Sequence, residues 1–120
     1  MYQEQIQIEK TNGQGIFSVR ITAFGLKSLK KITRRNQKVE SEINKMMKNL
    51  EKSPELGREL TSDLYGLRTI SSEDGEFRVI YELNQQKMQV MVHAVGSRKN
   101  IYQHLARFLK KVMPYKENWR

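Results

Sequence analysis

GEFRVIYELNQQKMQVMVHAVGSR, residues 75–98, decides how this chain folds. Phe77, Val79, Tyr81 and Leu83 alternate with Glu76, Arg78, Ile80 and Glu82. Met88, Val90, Val92 and Ala94 then alternate with Gln89, Met91 and His93. A period of two with one apolar face predicts strands over about 76–84 and 87–95. The turn near Asn84–Gln86 is too short for a crossover, so the two strands pair antiparallel. Placing Leu83 opposite Met88 puts Arg78 opposite His93 on the same open face.

Moving upstream, residues 64–71 predict a third strand, and Glu55–Asp63 reads as a polar loop. From Leu26 to Lys52 the period changes. Leu26, Leu29 and Ile32 recur at helical spacing, as do Val39, Ile43, Met46, Met47 and Leu50. A break near Arg35–Gln37 splits this stretch into a helical hairpin, and Ser53–Pro54 ends it, because the residue before proline is pushed out of the α region. A strand is expected over about 15–23, rich in β-branched residues. Asn12–Gly13 before it is a hairpin-turn signal. Downstream, Lys99–Val112 predicts a closing amphipathic helix with Ile101, Leu105, Phe108, Leu109 and Val112 inward. The order is an α+β domain: a small antiparallel sheet, an N-terminal helical hairpin and a C-terminal helix, with helices on one face of the sheet. The division expected is an extension or extra strand over 1–14, a domain over 15–113 and a loose tail over 114–120.

Charge and composition narrow the function. The chain has 120 residues and no cysteine, so disulfides and thiolate metal sites are excluded. No apolar run approaches the ~20 residues of a membrane span, and the polar start is not a signal peptide. A cytoplasmic protein with no membrane partner is expected. Lys and Arg number 22 against 13 Asp and Glu, a net charge of +9. Residues 1–52 and 97–120 are strongly basic and 53–96 mildly acidic. Such a field concentrates polyanions: RNA, DNA or an acidic protein.

The elements and the words in them resemble the RelE/ParE superfamily of toxins from bacterial type II toxin–antitoxin systems. The resemblance rests on Phe17–Thr22, Leu26-Lys27-Ser28-Leu29-Lys30-Lys31, Leu64-Tyr65-Gly66-Leu67, Gly75-Glu76-Phe77-Arg78-Val79-Ile80-Tyr81 and Ala94-Val95-Gly96-Ser97-Arg98, with Tyr102 soon after. It covers about residues 15–112. It implies one of two activities. RelE-like members are metal-independent endoribonucleases, many of which cut messenger RNA on the ribosome. ParE-like members are not nucleases and poison DNA gyrase. Both imply an acidic antitoxin as partner; a homologue without activity is a third reading.

For RNA cleavage the resemblance implies Arg78 and Arg98 as phosphate or transition-state clamps, since a guanidinium donates two parallel hydrogen bonds. Tyr102 falls where nuclease members carry a tyrosine that stacks or relays a proton. His93 and Arg68 are secondary candidates for catalysis, His93 because histidine titrates near neutrality. Lys99, Arg107, Lys27, Lys31 and Arg34 are candidates for contact with RNA phosphates. The plain alternatives are ion pairs for the arginines, a packed ring for Tyr102, a structural sheet histidine and a solvated helix face. Glu73, Asp74 and Glu76 read as a solvated acidic turn, and His104 is weaker than His93. The two histidines lack a carboxylate cluster, so neither a metal nor a cofactor is expected. The chain departs from the nuclease pattern at Thr69 and Ser71, where relatives often carry cations. A shifted register would bring in Arg68 instead.

Overall fold

The computed structural model describes residues 16–60, 66–101, 103 and 105–107. The extension over 1–14, the Asn12–Gly13 turn, Phe108, Leu109, Val112 and the tail over 114–120 lie outside the described residues. The elements run β1 (Ser18–Ile21), α1 (Ala23–Thr33), α2 (Gln37–Lys52), β2 (Arg58–Glu59), β3 (Leu67–Ser71), β4 (Phe77–Asn84) and β5 (Gln89–Ser97), with a 3₁₀ turn over Pro54–Leu56 before β2. Ile101, Gln103 and Leu105–Arg107 are helical, at the start of the expected closing helix.

The five strands form one sheet in the order β1-β5-β4-β3-β2. β2 to β5 pair antiparallel with their neighbours, whereas β1 runs parallel to β5. The connection between these parallel neighbours runs through the helical hairpin and β2 to β4, far longer than the minimum a parallel pair needs. Local chemistry sets the helix limits. The Thr22 hydroxyl accepts from the Gly25 amide at 2.9 Å and the Asn36 side chain from the Val39 amide at 3.1 Å, each capping a helix start. Arg35, at φ 59, breaks the pair where expected.

α1 and α2 press Leu29, Val39, Ile43, Met47 and Leu50 onto Val79, Tyr81, Val90, Val92 and Val95. On the other face a smaller cluster joins Leu67, Ile80 and Ala94 to Ile101 and Leu105. β5 would be an open edge beyond the end of β1. α1 closes it: Ser28 Oγ accepts from the Val95 amide at 3.1 Å and donates to the Gly25 carbonyl at 2.8 Å. Gly25 lies so close to the Val92 carbonyl that a Cβ there would stand 2.8 Å from it, so α1 needs glycine at this crossing.

Three expectations are corrected. The helices do not share one face: Ile101 and Leu105, at the start of the closing helix, pack on the face opposite α1 and α2, where Leu67, Ile80 and Ala94 offer the apolar surface. The stretch over Glu55–Asp63 is not all loop; it contains the end of the 3₁₀ turn and the short strand β2. Leu60 N–H donates to the Leu67 carbonyl at 2.9 Å, so the pairing is real but brief. The β4–β5 register also differs. Leu83 faces Val90, and the turn spans Gln85–Met88, with Asn84 Oδ1 accepting from the Lys87 amide at 3.0 Å. A β-bulge then intervenes: Tyr81 pairs with Val92 but Ile80 with Ala94, leaving His93 as the extra residue. Arg78 therefore stands opposite Gly96, not His93.

Tyr81 ties the core to the sheet edge. Its ring is fully buried, and its hydroxyl donates to the Pro54 carbonyl at 2.6 Å and accepts from the Gly57 amide at 2.9 Å. Burial raises the phenol above its ordinary value of 10.0, against smaller lowering influences from the Gly57 amide and Arg68. Replacing Tyr81 by Phe strands both backbone groups and is expected to destabilise the fold by about 1–3 kcal/mol in urea denaturation. The raised value means that the phenol's contribution is whole below pH 10.0 and fades as pH rises through the folded-state value. The wild-type advantage over Tyr81→Phe should therefore shrink at alkaline pH; a constant difference would contradict this account.

Candidate functional site

Strand pairing puts Arg58, Thr69, Ser71 and Arg78 on the sheet face away from α1 and α2. Ser71 is the cross-strand partner of Arg78, which is the partner of Gly96. Thr69 is the partner of Ile80 on one side and of Arg58 on the other. Partners share a face, and so do residues two apart on one strand, so Arg58, Thr69, Ser71 and Arg78 stand together. Gly96 contributes no side chain opposite Arg78. Arg98 follows at the same end of the sheet, where its amide donates to the Glu76 carbonyl at 2.7 Å.

Arg58, Thr69, Ser71 and Arg78 line a groove of about 570 Å³ that curls around the free edge of β3 beyond the two-residue β2. Met46 and Asn49 of α2 and Leu56 of the 3₁₀ turn close its other side. Leu56 is 64% exposed, so the wall it makes is open to solvent. None of the described residues lining the groove carries a carboxylate, and two are arginines. Inside it two polar atoms are buried without a hydrogen-bond partner among the described residues: Arg78 Nε and Thr69 Oγ1. Buried donors are paired in the great majority of cases, and a guanidinium without a carboxylate is costly. Among the described lining residues the groove gathers two cations, two hydroxyls and no negative charge, a composition suited to an anion.

The other sequence candidates fall elsewhere. Arg68 is on the opposite face. It donates to the Gly57 carbonyl at 2.9 Å and pairs with Glu59 at 3.1 Å, clamping the 3₁₀ turn and β2 to β3. The register thus keeps hydroxyls at positions 69 and 71 on the Arg78 face. His93 is buried in the bulge level with Ile80 and Tyr81, two to three residues along from Arg78, with Nε2 3.1 Å from Glu82 Oε1. At a strand rise of roughly 3.3 Å per residue that is about 7–10 Å along the sheet, and the His93 ring is engaged by Glu82. Tyr102 and His104 lie outside the described residues. Lys99 and Arg107 are exposed near the chain's return from β5, and Lys27, Lys31 and Arg34 are exposed on α1 and at its end.

In the acidic turn, Asp74 accepts from the Ser72 hydroxyl at 2.8 Å and the Glu76 amide at 2.9 Å. These bonds, the backbone one first, hold its carboxyl below the ordinary 3.8, and it serves the turn. Glu73 and Glu76 are exposed. Sequence reading missed Arg58. Its only signal was the alternation of Arg58 and Leu60 about Glu59, too short to separate a strand from a loop. Among the described residues no helix is long and apolar enough to cross a membrane, and no cluster of three His, Cys, Asp or Glu residues could hold a metal ion.

A family profile described as the ParE-like toxin of type II bacterial toxin–antitoxin systems matches residues 19–106. No curated protein sequence matches the chain. Among solved structures, a mutant of the E. coli toxin RelE in the free state superposes with a TM-score of 0.62 at 16% identity, covering 81% of this chain and 98% of that one. The Mycobacterium tuberculosis toxin–antitoxin complex RelBE2 contains a chain with a TM-score of 0.59 at 21% identity, covering 69% and 92%. The chromosomal ParDE system of P. aeruginosa gives 0.56 at 16% identity, covering 69% and 97%. At these identities the likeness is one of fold.

If Arg78 is held for a ligand and not for the fold, Arg78→Met, which keeps the packed stem and drops the charge, should leave stability unchanged or raise it by up to about 1 kcal/mol. Thermal and urea unfolding check this. A loss above about 2 kcal/mol would identify Arg78 as a structural ion-pair residue.

Proposed function

The chain belongs to the ParE-like toxin family of type II bacterial toxin–antitoxin systems, and on that premise we propose that it is a metal-independent endoribonuclease that cuts messenger RNA at the ribosome. The observation that carries this reading is that, among the described residues, the buried Nε of Arg78 and the buried Thr69 hydroxyl have no partner and the groove their residues line has no carboxylate. A phosphodiester supplies the oxygens those donors lack.

Cleavage proceeds by attack of a ribose 2′-oxygen on the adjacent phosphorus. A 2′,3′-cyclic phosphate forms, the bond to the 5′-oxygen breaks, and the proton removed from the 2′-hydroxyl is balanced by one delivered to the leaving oxygen. The five-coordinate phosphorane carries more negative charge than the diester. Fixed guanidinium donors aimed at its oxygens therefore lower the barrier. Arg78 takes that role, and Arg98, at the same end of the sheet, takes a second face of the phosphate. Tyr102 positions the nucleotide or protonates the leaving oxygen. Lys99, Arg107 and the exposed face of Lys27, Lys31 and Arg34 guide the polyanion in. An acidic antitoxin that covers the open face would silence the site by occupying the same cations.

Thr69 and Ser71, in place of cations, favour a second reading: a ParE-like inhibitor of DNA gyrase without nuclease activity. Mapping of messenger RNA 5′ ends in a translating extract separates the two. The nuclease reading expects new, translation-dependent ends with wild type and their loss by a factor of about 100 or more in Arg98→Ala and in Arg78→Ala. Intact messenger RNA with folded, toxic protein, together with gyrase poisoning, would establish the second reading.

A further inference from the structure

We infer that Arg58, on the short edge strand β2, is a phosphate-binding residue that faces the Arg78 groove from a neighbouring strand, across Thr69 and Ser71. The inference rests on the nuclease reading for the identity of its ligand, single-stranded RNA, and on geometry for the site itself.

Arg58 is the cross-strand partner of Thr69, and Arg78 is the cross-strand partner of Ser71. The two arginines are therefore two strands and two residues apart on one face. With strands ~4.8 Å apart and a rise of ~3.4 Å per residue, their Cα atoms are separated by roughly 12 Å. Extended arginine side chains reach about half that distance each, so the two guanidinium groups can grip one phosphate from either side. Thr69 and Ser71 lie between them as hydroxyl donors. All four line the same groove.

Three further observations point the same way. Thr69 is 4% exposed, and its hydroxyl has no partner among the described residues, so an unsatisfied polar group is held inside the groove. The nearest carboxylate in sequence, Glu59, turns to the other face and is taken by Arg68 at 3.1 Å, so it does not neutralise Arg58. Finally, both residues beside Arg58 are fixed. Gly57 donates to Tyr81 at 2.9 Å and its carbonyl accepts from Arg68 at 2.9 Å, while Glu59 holds the other side of Arg68. A two-residue strand is thus pinned at both ends, and the residue left unpinned presents its guanidinium to the groove.

The test uses the full chain and a 2′-O-methyl trinucleotide, which binds but cannot be cut. Its affinity is measured over a range of salt concentrations for wild type, Arg58→Ala, Arg58→Lys and the exposed-helix control Lys45→Ala. The expected result is a five- to fiftyfold weaker affinity for Arg58→Ala, with the salt slope reduced by about 0.7, partial recovery in Arg58→Lys, and no change in the control. Arg58→Ala should also broaden or shift the arginine Nε–H signal of Arg78 in the complex, which a remote charge would not do. Equal affinity of wild type and Arg58→Ala, or no binding by wild type, overturns the inference. A hexaglutamate peptide bound as tightly and with the same dependence on Arg58 overturns it in favour of an acidic protein segment. If the trinucleotide binds through Arg58 while messenger RNA stays intact in the extract, the nuclease reading falls and the phosphate site stands.

Discussion

The one extra residue that β5 carries opposite Ile80 and Tyr81 governs what each face of the sheet presents. On the turn side of the bulge, Val90 and Val92 point to the helices; beyond it, so does Val95. Without the insertion, a two-residue period would send Val95 to the open face opposite Arg78 and Gly96 to the core. A β-branched side chain would then crowd the guanidinium, and a glycine would leave a hole beneath α1. With it, valine fills the core and glycine stands opposite Arg78. His93, the residue inserted, is buried and held by Glu82. It is the residue at which the register of the sheet shifts.

From that centre the order passes to the edge through Tyr81. Its hydroxyl fixes Pro54 and Gly57, and Arg68 fixes Gly57 and Glu59 from the same side. Two residues of β pairing cannot hold an edge strand alone, since a short ladder recovers little of the entropy of ordering the chain. β2 exists because these side chains on the helix face anchor the segment that leads into it. The helix face is thus the scaffold, and the opposite face carries the charge.

The helical hairpin, its break at Arg35, its stop at Ser53 and the strands β3 to β5 are legible in the sequence, because each is long enough to show a period or carries a capping signal. The Leu-x-Gly-Leu word also has a physical reading, since Gly66 enters β3 at φ +96, a conformation glycine adopts freely. The parallel pairing of β1 was not legible, because strand direction depends on the crossover and not on the strand's own residues. The bulge was half visible: Val90, Val92 and Val95 are spaced two and then three apart, which strict alternation through Ala94 hides. Arg78 and Arg98 were found from the words around them. Arg58 was not, because its strand is shorter than any period, and its place depends on Tyr81, more than twenty residues away.

The groove runs against the rule that governs the rest of the molecule. Elsewhere the buried polar groups described here serve caps, turns or strand edges: Ser28 on Val95, Ser72 on Phe77, Tyr81 on Gly57. Thr69 Oγ1 and Arg78 Nε, of two residues that line one pocket, have no partner among the described residues. A sheet selected for stability alone would place valine at 69 and an aliphatic residue at 78, since both strands favour such side chains and the burial would add to the smaller core. Keeping a hydroxyl and a guanidinium there lowers the stability of the free protein and raises that of any complex that supplies oxygen acceptors. On the proposed reading one site serves both a target and an inhibitor: an acidic segment across the groove would gain the same donors that a phosphate would gain, so the two would compete for the same hydrogen bonds.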